Sequence, residues 1–209
     1  MKKPQQLRII AAAVIAAGIA SVASTGARAE AITDVAAPFS AAARLDFRII
    51  IPGFLRFRVG TNSGTIDMIT FDMTASPGNV GNSVSQSGTG GDAGAGSGAN
   101  VLVQANNGQV TITETNSSAG LGLGTGTAGD GYISYAEITT AVSGDALFTA
   151  PTLSNAGGGT STPTLNAGKV TNRTAVWTYG YANTTFPSAG TYGGVNTNGG
   201  RVTYTATTP

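Results

Sequence analysis

The chain has ten carboxylates but no histidine and no cysteine among its 209 residues, and this inventory limits its chemistry. Ser-His-Asp and Cys-His nucleophile systems are impossible without the imidazole that takes and returns the proton. Zinc held by histidine or cysteine is excluded on the same ground. What remains is carboxylate work. Glycoside hydrolysis needs only two carboxyl groups at a set separation, and Asp67 with Asp72, or Glu114 with Glu137, are the conceivable pairs. Asp67 and Asp72 differ in parity within one predicted strand, so they should point to opposite faces. All four read more simply as solvated strand-face or turn residues. A Ser-Lys arrangement would depend on Lys169, which sits in a Gly/Pro/Ser-rich stretch. The "GTGGDAG" around Asp92 has the glycine and aspartate content of calcium-binding nonapeptide repeats; without a second copy it reads as a loop aspartate. No pattern holds a cofactor, and the chain is expected not to be an enzyme.

The elements that would carry any site begin after an export signal. Lys2, Lys3 and Arg8 precede an apolar run from Ile9 to about Ala20, followed by Ala27-Arg28-Ala29. A basic start, a short apolar stretch and an Ala-x-Ala site make a secretory signal peptide, expected to be helical over residues 1–29 and cleaved after Ala29. The run is shorter than the about 20 apolar residues a membrane span needs, so no transmembrane span is expected after cleavage and the protein is expected in the periplasm, at the cell surface or outside the cell. Cleavage removes Lys2, Lys3, Arg8 and Arg28 and leaves seven basic residues against ten acidic ones, a net charge of −3. Nucleic-acid binding needs a clustered basic face, and the basic residues that remain lie mostly in one ribbon without aromatic stacking partners, so that class is set aside.

The remainder alternates with period two. In "RLDFRIIIPGFLRFRVG", Leu45, Phe47, Ile49 and Ile51 share one face of an extended ribbon and Arg44, Asp46 and Arg48 the other; after Pro52-Gly53, Leu55, Phe57 and Val59 oppose Arg56 and Arg58. Such alternation predicts two strand segments around a turn or kink. Further strands are predicted over Thr65 to Met73, Asn100 to Ala105, Gln109 to Glu114, Tyr132 to Thr139, Ala175 to Ala182 and Arg201 to Thr207, each rich in β-branched or aromatic residues. Asn107-Gly108 between two alternating runs predicts a hairpin, because a type I′ turn needs positive φ at both central residues. The Gly/Ser/Thr tracts 83–100, 116–131 and 154–169 predict long loops, since they cannot bury enough apolar area to offset their ordering entropy. The expected fold is all-β: an antiparallel sandwich over residues 44–209, with a barrel as second choice, preceded by an extended N-terminal arm over 30–43.

Two groups of side chains invite a binding role. Trp177, Tyr179 and Tyr181 share one strand face; this row either fills the core, with Phe47, Phe54, Phe57, Phe71 and Tyr204 as companions, or stands exposed as a strip for carbohydrate. Arg44, Arg48, Arg56 and Arg58 either keep an open strand face wet and unpaired or meet an anionic partner such as surface polysaccharide, lipid head groups or a neighbouring subunit. Asn116, Asn172 and Asn183 stand in N-x-S/T sites, acceptors for glycan only in a suitable host.

In the arm "EAITDVAAPFSAAA", Val35, Ala37 and Phe39 share a face, which suits strand addition to an exposed sheet edge. Together with the glycine- and threonine-rich strands and the closing "GGRVTYTATTP", this resembles the fimbrial or pilin-type surface proteins of Gram-negative bacteria. The resemblance implies an immunoglobulin-like fold lacking one strand that a neighbour's N-terminal arm completes, with Val35, Ala37 and Phe39 as donor side chains and Val202 and Tyr204 on the last strand, where a chaperone docks. The function expected is that of a structural or adhesive surface subunit acting by self-association or with other surface proteins. A carbohydrate-binding module is the alternative, and a small carboxylate hydrolase the third reading.

Overall fold

The computed structural model describes residues 32–94 and 96–209; the signal segment 1–29 lies outside them. The chain divides at Ile51 into two units.

Within the first unit, residues 32–51 contain no strand. The arm predicted to be extended is bent instead. Asp34 folds it by accepting the Ala36 N–H at 3.0 Å on one carboxylate oxygen and the Ser40 N–H at 2.8 Å on the other. These two bonds, Ala36 first, favour the charged form and hold the Asp34 carboxyl below its usual range. Val35, Ala37 and Phe39 are therefore not three steps of one extended face, although all are exposed. The ribbon Arg44 to Ile51 is exposed throughout and pairs with no described strand, so its predicted first strand is absent as a ladder. Alternation states which face a neighbour could cover; a ladder needs the neighbour.

The second unit, residues 52–209, is all-β, built of antiparallel strands with three single-turn 3-10 segments. In chain order these strands are β1 Leu55–Val59, β2 Ile69–Thr70, β3 Gln86–Ser87, β4 Thr89–Gly90, β5 Gly98–Ala105, β6 Thr111–Asn116, β7 Leu123–Gly124, β8 Tyr132–Ile133, β9 Ile138–Ser143, β10 Thr160–Ser161, β11 Thr171–Tyr181 and β12 Val202–Thr207. The larger sheet has the order β1-β5-β11-β3 with β9 along β11, and a second sheet has the order β10-β6-β12. Both contribute to one core. Val101, Val103 and Ala105 of β5, Ala175 and Trp177 of β11, and Val110 and Ile112 around the start of β6 are buried together with Phe148. The period-two pattern decides this directly, since alternate residues of β5 and β6 fall inside.

Asn107-Gly108 does not close a hairpin. β5 pairs with β1 and β11 while β6 pairs with β10 and β12, so the chain changes sheet at this point. Gly108 takes φ +124° and its N–H donates to the Lys169 carbonyl at 3.0 Å, and the Asn107 side chain donates to the Pro209 carbonyl at 3.1 Å. Turn chemistry specifies local dihedrals; the sheet that the next strand joins is set by which buried face it carries. The predicted strand Thr65 to Met73 shrinks to β2, and Tyr132 to Thr139 is broken by a 3-10 turn at Tyr135–Glu137. The three tracts predicted as loops carry β3 and β4, β7, and β10, because backbone pairing needs no apolar side chain.

Candidate functional site

The aromatic row is core. Trp177 is fully buried and its indole N–H donates to the Phe148 carbonyl at 2.9 Å. Its ring meets those of Phe148 and Tyr204 edge-on, each at 5.3 Å between centroids. Tyr179 shares a hydroxyl–hydroxyl hydrogen bond of 3.0 Å with Tyr204, and Tyr181 packs on Phe71 at 6.1 Å. Burial pushes the Tyr179 phenol up to about 12, and burial followed by the nearby Tyr179 pushes Tyr204 well above the ordinary phenol range. An exposed carbohydrate strip at Trp177, Tyr179 and Tyr181 is thereby overturned: the parity of β11 turns Trp177 and Tyr179 onto the core, and Tyr181 is buried beside Phe71. Phe57, Phe71 and Tyr204 are companions as expected, whereas Phe47 and Phe54 are exposed and Phe148 takes the position at the centre of the core.

The glutamates are not solvated strand-face residues. Glu114 is fully buried on β6, directly opposite Tyr204 of β12. One of its oxygens accepts from the Asn116 amide at 2.9 Å and the other, Oε2, has no hydrogen-bond partner. Glu137 is buried and accepts both the Thr184 N–H, at 2.9 Å, and the Thr184 hydroxyl. The aspartates do turn duty. Asp67 accepts from the N–H and hydroxyl of Thr61, Asp72 from those of Thr74, and Asp92 closes its loop on the Asn100 N–H at 2.7 Å. Each of the four carboxyls considered for hydrolysis is thus engaged by a different neighbour. Asn183 is wholly buried, its amide donating to the Asn79 carbonyl at 2.7 Å, so it is closed to a glycan in the folded chain. Of the two other acceptor sites, Asn172 is exposed and Asn116 is partly buried.

The arginines divide between the units. Arg44 and Arg48 lie on the exposed ribbon; Arg56 and Arg58 lie on β1, opposite Gln104 and Leu102 of β5. Arg58 is half-buried and its Nε has no hydrogen-bond partner. A partly buried ion pair lies elsewhere and was not singled out by the sequence: Arg173 Nη1 meets Asp145 at 2.6 Å. That bond, helped by the Leu147 N–H, holds the Asp145 carboxyl below its usual range.

Two apolar surfaces of the described chain are exposed or only half covered. The ribbon exposes Leu45 (64%), Phe47 (86%), Ile49 (84%) and Ile51 (75%), the alternate residues of one face. Strands β1 and β12, terminal in their respective sheets, come into contact along one flank of the core. Phe57 and Val59 of β1 and Tyr204 and Ala206 of β12 pack on the core there yet stay only partly buried. The flank is a seam between two open strand edges with an incompletely covered apolar floor.

Compared with known proteins, no family model, no curated protein and no solved structure matches this chain.

Proposed function

We propose that the protein is an exported, non-enzymatic surface protein with an immunoglobulin-like β-sandwich, a structural or adhesive subunit of a fimbria-like or matrix assembly that associates by strand addition. The observation that carries this reading is the exposed apolar face of the ribbon, Leu45, Phe47, Ile49 and Ile51. Monomeric soluble proteins rarely leave such a face open unless something covers it. The seam between β1 and β12 supplies the complementary feature: unpaired backbone edges for main-chain hydrogen bonds and half-covered side chains for alternate apolar residues. The donor is accordingly the ribbon, displaced by about ten positions from Val35, Ala37 and Phe39, where the Asp34 bend breaks the alternation.

The energetics favour a strand that pairs as well as buries. Covering four such side chains is worth roughly 1.5 to 3 kcal/mol each, while ordering the backbone costs about 1 to 2 kcal/mol per residue. The ladder hydrogen bonds decide the sign. A synthetic peptide of residues 44–51 in excess tests this directly: it should occupy the seam and stop assembly of the protein, whereas assembly that proceeds unchanged in its presence rules out strand addition by the ribbon.

A further inference from the structure

We propose that β9 is a second docking edge, separate from the ribbon and its seam, where two copies of this chain pair β9 to β9 across a two-fold axis at Ala141.

β9 borders the larger sheet and pairs only with β11. The direction of its free hydrogen-bonding groups follows from β11. The Tyr179 N–H donates to the Ser97 carbonyl at 2.9 Å and the Tyr179 carbonyl accepts from the Ser97 hydroxyl, so the Tyr179 backbone faces the β5 side. Successive residues of a strand alternate, so Thr178 and Gly180 face β9, and the Gly180 carbonyl indeed accepts from the Thr139 hydroxyl at 3.2 Å. Their partners in register, Ala141 and Thr139, spend their backbone groups on β11. Thr140 and Val142 must then point theirs away from the sheet, and no other described backbone group bonds to either.

This edge has none of the usual protection. Ile138 to Ser143 reads Ile-Thr-Thr-Ala-Val-Ser, without charge or proline. Charged side chains on an edge strand are the ordinary device against pairing with another chain. Their absence from β9 leaves a six-residue template.

The template is self-complementary. An axis at Ala141 sets Thr140 opposite the partner's Val142 and, by symmetry, Val142 opposite the partner's Thr140. These are the residues whose N–H and C=O groups point outward, so both become hydrogen-bonded pairs and the two sheets join as one. On the solvent face, exposed Thr139 meets the partner's Ser143, a hydroxyl pair suited to cross-strand hydrogen bonding. Ala141 meets the partner's Ala141 in a non-hydrogen-bonded pair with Cα atoms about 4.5 Å apart, where a small side chain is required.

The absence of cysteine makes the test clean. That Cα separation lies within the range a disulfide spans, so Ala141→Cys should oxidise to a covalent dimer about tenfold faster or more than Thr174→Cys, on the exposed face of the central strand β11, as expected for held rather than colliding thiols. Thr139→Cys and Ser143→Cys should cross-link when mixed but not alone. Ala141→Lys, which places like charges opposite one another, should abolish pairing while the circular dichroism of the folded chain stays unchanged. Equal cross-linking rates at Ala141 and Thr174, or an Ala141→Lys variant whose association is unchanged, would overturn the proposal. Ribbon variants alter no residue of this edge and should leave the Ala141→Cys cross-link intact.

Discussion

Trp177 donates its indole N–H to the carbonyl of Phe148 at 2.9 Å while the two rings meet edge-on, so one residue both fills the centre of the core and satisfies a buried backbone acceptor. Trp177→Ala should cost about 3 to 5 kcal/mol through the cavity it leaves. Trp177→Phe should cost less, of which about 1 to 3 kcal/mol is the unpaired carbonyl. Urea denaturation of the two variants checks this. The native emission of this single tryptophan should be blue-shifted and move to the red on unfolding; red-shifted emission from the folded protein would refute the buried placement.

Glu114 offers a different kind of test. It is fully buried with Oε2 unpartnered, opposite Tyr204. Glu114→Gln keeps the volume and an acceptor for the Asn116 amide, and replaces a buried carboxylate oxygen that has no hydrogen-bond partner. It should be at least as stable as the native protein, by up to about 1 kcal/mol in its favour, whereas Glu114→Ala should lose about 2 kcal/mol or more. Chemical denaturation of both variants reads the difference; a Gln variant as damaged as the Ala variant would mean that Oε2 has a partner in solution.

The buried phenols predict an alkaline limit to stability. Tyr135 and Tyr179 are each raised from 10.0 to about 12, in both cases chiefly by burial. A phenol whose folded value lies above its unfolded one binds its proton more tightly when folded, so the stabilisation is complete below pH 10 and is lost as pH rises towards 12. Tyrosinate absorbance followed beside circular dichroism should show these two groups titrating together with loss of strand signal. Their ionisation at ordinary phenol pH in a folded protein would contradict the account.

Gly108 holds φ +124° where the chain changes sheet, and a Cβ there would approach Pro209 to 3.3 Å. Gly108→Ala should destabilise by about 1 to 2 kcal/mol, measurable as a lowered midpoint in urea with unchanged slope. Indifference to the substitution would place the crossing elsewhere.

How much of this was legible in the sequence depends on what each pattern reports. The runs that became β5, β6, β11 and β12 were readable because each buries one face, and alternation records that face. Asn107-Gly108 was misread as a hairpin because dihedral preference is local while sheet membership is not. Glu114 passed for a surface residue because its carboxyl group weighs against burial, and its Asn116 partner lies two positions on, where strand parity places it on the same face. The glycine tracts hid β3, β4, β7 and β10 because those strands pair through backbone with little apolar signal. The ribbon's alternation was visible, but a pattern of side chains cannot say whether the strand beside it belongs to the same molecule.

The central claim is that the ribbon mediates assembly, and the most direct test is light scattering with size exclusion on the protein beside a Leu45→Asp, Phe47→Asp, Ile49→Asp variant, with electron micrographs of both. The native protein should form polymers, and the variant, with the same circular dichroism, should form nothing larger than a dimer. A variant that polymerises as the native protein does, or a native protein that never exceeds a dimer at any concentration, would contradict the account.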